Sequence, residues 1–382
     1  FVLWAAGGWR LHLSGPDAVC KAVEAAYGKG GARDFDRDMM LKAYGRELEI
    51  SRCSADDVPE SKDSKRGAGI SWKGCRIGFD LGASDFKIAA VQDGEVRFSD
   101  EFPWDPRNAS DPVYHFEKIN EGLQAAAAHL PRVDAIGGST AGIVVDNQIR
   151  VASLLRAIKP EHYAAAQQIF LAIGKRWGVP VKVENDGDVT ALAAYLTNGT
   201  KAVLGVAMGS SEAGGFLDRN GHITGRLNEL AFSPVDFAAD APVDEWSGDN
   251  GVGAMYFSQQ AANYLADRLG IAFPTDMKLP ERLVEVQKLM TQEDERAIRL
   301  YTMLGSNLGH TVPWYREFYD YDNLLILGRV TSGRGGEILL AAARETVRKF
   351  YPEYADINIS MPDEKAKRLG QAVAAAALCE QV

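Results

Sequence analysis

An aspartate, a glycine and two small residues, Asp80, Gly82, Ala83 and Ser84, separate two apolar runs at 76–79 and 87–91. Glycine and small side chains let backbone N–H groups close on an anion, as phosphate-binding turns require. Asp80, at the end of the first run, is positioned to hold a hydrated Mg²⁺ beside that anion. A plain β-hairpin containing an aspartate gives a similar string, so the segment needs company. It has some. Gly209, Ser210 and Ser211 make a second small-residue turn after the apolar run 202–207. The structural theme recurs without any repeat of sequence.

These turns sit in a chain of 382 residues that is 46% hydrophobic and 25% charged, with a net charge of −10. That length suits two domains and a substantial core. The acidic balance argues against a nucleic-acid partner, which needs clustered Lys and Arg. A short basic run at 62–66, mixed with Asp and Ser, does not alter this. Cys20, Cys53, Cys75 and Cys379 are scattered, with no CxxC pair and no zinc-ligand spacing. Such usage reads as free thiols in a cytoplasmic protein. The apolar run at 1–6 is far short of the roughly 20 residues that span a bilayer, so no membrane partner is expected. The chain does not begin with Met, so Phe1 need not be the native start.

Strand and helix patterns alternate from residue 75 onward, which predicts α/β architecture. Strands at 76–79, 87–91 and 95–99 form a meander, the last pair joined by Asp93-Gly94, a strong hairpin signal. A helix at 114–130 and a strand at 133–137 follow, then a helix at 161–177 and a strand at 179–183. Asp188 reads as the N-cap of a helix at 189–196. In the second half, strands at 202–207, 216–218 and 222–224 precede helical segments over 253–310. A strand at 323–327, a helix at 335–350, a strand at 357–360 and an Ala-rich helix at 364–379 complete the pattern. Residues 1–74 read as an N-terminal extension with helices at 17–27 and 36–44, a strand at 49–53 and a linker at 61–69.

Two phosphate turns, each heading one half of an α/β chain, are the device of the actin-like and sugar-kinase ATPases. Within that superfamily the sequence resembles the ROK family of repressors and sugar kinases, over about 76–380. The family's D-x-G-G-T corresponds to Asp80-Leu81-Gly82-Ala83-Ser84, and its sugar loop G-x-x-x-P-G to Gly138-Ser139-Thr140-Ala141-Gly142. Its E-N-D-A corresponds to Glu184-Asn185-Asp186-Gly187, and its second phosphate loop to the stretch from Gly209 through Gly215. Its G-E-x-G-H appears as Asn228-Glu229-Leu230-Ala231-Phe232, and its G-G-G-V as Leu327-Gly328-Arg329-Val330. No single match is specific; six in order are hard to obtain by chance.

The resemblance implies a two-lobed actin-like, ribonuclease H-like ATPase fold with a mixed sheet in each lobe. The small lobe would span 75–186, completed by a C-terminal helix at 365–382, and the large lobe 187–364. It implies ATP and Mg²⁺ as cofactors, bound between the lobes. Gly82, Ala83, Ser84, Gly209, Ser210, Ser211 and Gly328 would meet the nucleotide, and Asp80 the metal. Asp186 would be the general base that takes the proton of an attacking sugar hydroxyl. Asn185, Glu229, Ser139 and Thr140 would contact the sugar. A homodimer is implied as well.

The departures fall on the sugar side. The family's zinc-binding C-x-C-G-x-x-G-C is missing, and 244–255 holds no cysteine, so no structural zinc is expected. The family's histidine after the glutamate is Phe232, and an acidic sugar ligand expected further on falls near Ala254. Each lost hydrogen-bond partner is worth roughly 1 kcal/mol or more in a buried site. Ala141 replaces the loop proline, and Arg156 lies where an anionic substrate could be met. Phosphate machinery is kept while sugar-reading machinery is altered, which favours a kinase of shifted specificity. The alternative is a non-catalytic sugar-sensing regulator on the same fold.

Overall fold

Strand Cys75–Leu81 is buried along its whole length, which only a central strand covered on both faces can be. The computed structural model that contains it describes residues 1–60, 70–82, 86–362 and 364–379. The linker expected at 61–69 and the turn residues Ala83 and Ser84 lie outside the described residues. The chain divides into two compact units. One combines Ala6–Val189 with Gly370–Val382, the other Phe1–Ala5 with Thr190–Leu369.

The first unit opens with strands β1 (Arg10–Leu13) and β2 (Glu49–Arg52), paired in parallel, with helices Asp17–Ala26 and Asp34–Tyr44 between them. Next come β3 (Cys75–Leu81), β4 (Phe86–Gln92), β5 (Glu95–Phe102), β6 (Ala135–Thr140), β7 (Ile143–Val145), β8 (Gln148–Val151) and β9 (Val181–Asn185). Five of these form a mixed sheet in the order β5-β4-β3-β6-β9. The meander β3-β4-β5 is antiparallel, while β3, β6 and β9 run parallel. Asp93 and Gly94 both take positive φ, 51° and 86°, as a two-residue hairpin turn demands.

One face of this sheet packs Ile77, Phe79, Ile136 and Val183 against Ile119 and Leu123 of helix Pro112–Ala127 and Phe170 of helix Ile169–Trp177. The other face is glycine-rich because a helix presses directly on it. A Cβ at Gly78 would lie 1.8 Å from the Ala372 carbonyl oxygen, and one at Gly137 1.7 Å from that of Ala375. Arg76, itself buried, fastens the end of that helix by donating to the carbonyls of Ala376 (3.1 Å) and Cys379 (2.6 Å). A cation on the last carbonyls complements the helix dipole.

The second unit contains β10 (Val203–Met208), β11 (Glu212–Leu217), β12 (Asn323–Leu327) and β13 (Asn358–Ser360), in the order β11-β10-β12-β13. Only β11 is antiparallel, so this sheet too is mixed. Helices Gln259–Arg268, Leu279–Thr291, Glu295–Arg316 and Gly333–Phe350 supply the rest of its core.

Several elements differ from the sequence expectation. The helix expected at 161–177 is broken into Tyr163–Gln167 and Ile169–Trp177 after a 3₁₀ turn. The expected pairing of 216–218 with 222–224 shrinks to one bridge, Leu217 with Ile223. The C-terminal helix, expected over 365–382, spans Glu364–Ala376 and is interrupted at Gly370, whose φ of 68° is not helical. The extension expected at 1–74 is divided between the units after Ala5.

Candidate functional site

The first unit gathers most of the candidate residues at the carboxyl ends of β3, β6 and β9, where open α/β sheets place ligands. Register sets Asp80 beside Ser139 and Ser139 beside Glu184. Side chains alternate across a strand, so all three share the face pressed by the C-terminal helix. Leu81, Thr140 and Asn185 share the opposite face. Glu184 is ion-paired with Lys182 over 2.5 Å. Ser139 and Thr140 are fully buried, so neither lines an open wall. Thr140 Oγ1 turns onto its neighbour's carbonyl at Ala141 (3.5 Å), and Ser139 Oγ finds no partner among the described residues.

Asp186 is the first residue of helix Asp186–Asn198. Asn185 caps that helix: the Gly187 N–H donates to its Oδ1 (2.8 Å), while its Nδ2 donates to the Gly142 carbonyl (2.8 Å). Half of the amide's capacity is thereby committed to structure. The expectation that Asp188 would be the cap is corrected, because Asn185 starts the helix earlier and Asp188 lies buried in its first turn. Gln371 Nε2 donates to the Asp186 carbonyl (3.0 Å), tying the helix start to the chain's C-terminal segment.

The Asp186 carboxyl is pushed up to about 7. Desolvation is the larger cause and the negative charge of Asp80 the second; the backbone N–H groups of Gly187 and Asp186 oppose both. A divalent cation relieves a carboxyl whose ionisation a neighbouring carboxylate disfavours. Among the described residues no three His, Cys, Asp or Glu side chains converge into a metal cluster. Mg²⁺ keeps several waters and uses one or two carboxylates, so Asp80 fits such an ion.

In the second unit the turn after β10 is closed by the Gly209 N–H donating to the Ser211 carbonyl (2.9 Å). The Gly209 carbonyl in turn accepts from the N–H of Gln259 (2.9 Å), the first residue of helix Gln259–Arg268. Ser210 and Ser211 are exposed. Gly328, at φ 101°, backs onto the same strand: a Cβ there would lie 2.5 Å from the Met208 carbonyl oxygen. The 209–211 turn and Gly328 are therefore adjacent. Glu229, part-buried, follows Asn228, a non-glycine residue at φ 53°. A Cβ at Gly214 of β11 would lie 2.5 Å from the Asn228 carbonyl, so this segment rests on the hairpin that bears the turn.

Phe232 and Ala254 are buried apolar residues. In the cysteine-free segment 244–255, Asp244 organises the chain: its Oδ2 accepts from the Ser247 N–H (2.8 Å) and hydroxyl (2.8 Å). One residue had no role in the sequence reading. Glu212, next to the 209–211 turn, is buried and pushed up to about 8 by desolvation. Tyr315 donates to its Oε1 (3.1 Å), and its Oε2 has no partner among the described residues. A charged residue opening an otherwise apolar strand was the available signal.

No protein-family model matches the sequence, and no curated protein matches it significantly. Solved structures do match in fold. A ROK hexokinase from Thermus thermophilus aligns over 80% of this chain and 97% of its own, at 19% identity and a TM-score of 0.61. A ROK family glucokinase from Streptomyces griseus, in complex with glucose and AMPPNP, aligns over 80% and 99%, at 20% identity and 0.57. A ROK family transcriptional regulator, a homolog of the E. coli MLC protein, aligns over 80% and 78%, at 20% identity and 0.59. The chain has the two-lobed, actin-like fold common to these proteins, with one mixed sheet in each unit.

Proposed function

We propose that this chain, built on the fold of the ROK sugar kinases, is a divergent ROK-family kinase that transfers phosphate from ATP to a hydroxyl of a sugar or sugar-like polyol. Asp186 is the observation that carries the reading. It is a carboxyl at a helix start, pushed up to about 7, with the Asp80 carboxyl close enough to raise it further. A base whose affinity for protons matches the working pH is what attack by a weakly acidic hydroxyl needs.

Asp80 holds the Mg²⁺ ion in this reading. Bound Mg²⁺ would supply charge neutralisation at the phosphates and would draw the Asp186 carboxyl back toward ionisation. Gly82, Ser210, Ser211 and Gly328 give backbone N–H and hydroxyl donors to the nucleotide, and Gly209, its N–H closing the turn onto the Ser211 carbonyl, lets the nucleotide approach closely. Ala83 and Ser84 complete the first turn by sequence. Glu229 and the remaining N–H of Asn185 orient the acceptor, whereas buried Ser139 and Thr140 support the floor beneath it. Four free thiols, Cys20, Cys53, Cys75 and Cys379, suit a cytoplasmic setting.

Coupled ADP release over a panel of hexoses, amino sugars and cyclitols tests this. Asp186→Asn should lower kcat by about 10²–10⁴-fold for any acceptor turned over. Undiminished turnover in that variant removes Asp186 from the mechanism. Acceptor binding by calorimetry with no phosphoryl transfer would instead favour a sugar-sensing regulator, a reading that Phe232, apolar where the resembled family has a histidine, makes worth testing.

A further inference from the structure

Glu229 can orient an acceptor only if its backbone is fixed, and residues 1–5 fix it. The Asn228 N–H donates to the Ala5 carbonyl (3.0 Å) and the Glu229 N–H to the Trp4 carbonyl (3.0 Å). Asn228 is held at φ 53°, a conformation that costs a non-glycine residue energy and persists only where its surroundings enforce it. Tyr319 adds one restraint, donating to Asn228 Oδ1 (3.0 Å). The indole of Trp4, 1% exposed, supplies another. It packs on Phe232 with ring centroids 4.8 Å apart, and Phe232 meets Trp246 edge-on at 5.1 Å. Phe1, just before the short helix Val2–Ala6, is stacked on Phe318 at 4.1 Å. Main-chain bonds grip 228 and 229, and an aromatic row grips 232.

We propose that Trp4, with the short helix Val2–Ala6 that carries it, is a positioning residue for the acceptor: it fixes Glu229 through the segment 228–232 and so sets acceptor affinity. A Trp side chain buries a large apolar area, and aromatic pairs add geometric preference to it. Loss of the indole leaves Phe232 without one of its flanking rings and the two main-chain bonds without their anchor. The inference rests on Glu229 acting as an acceptor contact.

The test compares wild type, Trp4→Ala and Trp4→Phe by amide hydrogen exchange of the ligand-free protein and by steady-state kinetics. In Trp4→Ala, exchange at Asn228 and Glu229 should accelerate about tenfold or more while β10 and β12 keep their protection. The acceptor KM should rise about tenfold, with nucleotide KM and kcat changed less than about twofold. Trp4→Phe, which restores a ring, should recover most of both effects. Unchanged protection at 228–229, or equal rises in both KM values, overturns the proposal. Should Trp4→Ala fail to fold, Trp4→Phe still decides, because its smaller ring should leave a residual acceptor-only defect. Should wild type turn over no acceptor, the kinase reading fails on its own, and the exchange at 228–229 still reports whether Trp4 anchors the segment.

Discussion

Asp186 draws its raised proton affinity from two sources that can be separated by substitution. Burial disfavours its charge, and Asp80 adds a like charge. In the proposed reaction a protonated Asp186 cannot accept the acceptor's proton, so kcat/KM should fall, approaching tenfold per unit, as pH drops through its titration, which bound Mg²⁺ places below the value of about 7 it has without metal. In Asp80→Asn the repulsion is gone, and the Asp186 titration of the ligand-free protein, followed by carbon NMR, should move to lower pH. No movement would mean that burial alone sets it. That a strand ends and a helix follows around Glu184-Asn185-Asp186 was legible from the residue pattern. The cap was not, because Asn185 and Asp188 are both good caps three residues apart in sequence, and only the Gly142 carbonyl, which holds the Asn185 amide in place, decides between them. Burial of Ser139 and Thr140 was equally hidden, since it depends on what covers the strand ends.

At the scale of elements, the sheet face that bears Asp80 is set by how closely a helix can approach. Gly78→Ala would drive a methyl into the Ala372 carbonyl and force helix and sheet apart. A loss of about 1–3 kcal/mol, measured by denaturant unfolding, is expected. In the other unit, Glu212 should make stability depend on pH. Folded, it keeps its proton up to about pH 8; unfolded, it releases it near 4.5. The folded state binds more protons across that window, so its stability falls as pH rises through it, by an amount on the order of a few kcal/mol. Glu212→Gln should lack this decline, and its advantage in Tm over wild type should grow between pH 5 and pH 9. The hairpin at Asp93-Gly94 and the long strands were readable because turn chemistry and apolar runs agree there. β1 was missed because its burial alternates without ever becoming complete, which leaves little apolar signal in Arg10–Leu13.

The two-part plan of the whole molecule was visible in the recurrence of a small-residue turn after an apolar strand. The partition of residues 1–74 was not, because Trp4 reaches Phe232 and the segment 6–60 joins the other unit through contacts remote in sequence. The chain passes from one unit to the other after Ala5, after Val189 and after Leu369, so neither unit is a continuous stretch of polypeptide. That interleaving has a consequence for biosynthesis. The segment that covers Gly78 and Gly137 and accepts from Arg76 is built from residues 372–379, so this face of β3 is covered only after that segment has been made. The unit made first is thus the last to be sealed, and the nascent chain must shelter an open sheet until Ala372 to Cys379 arrive to close it.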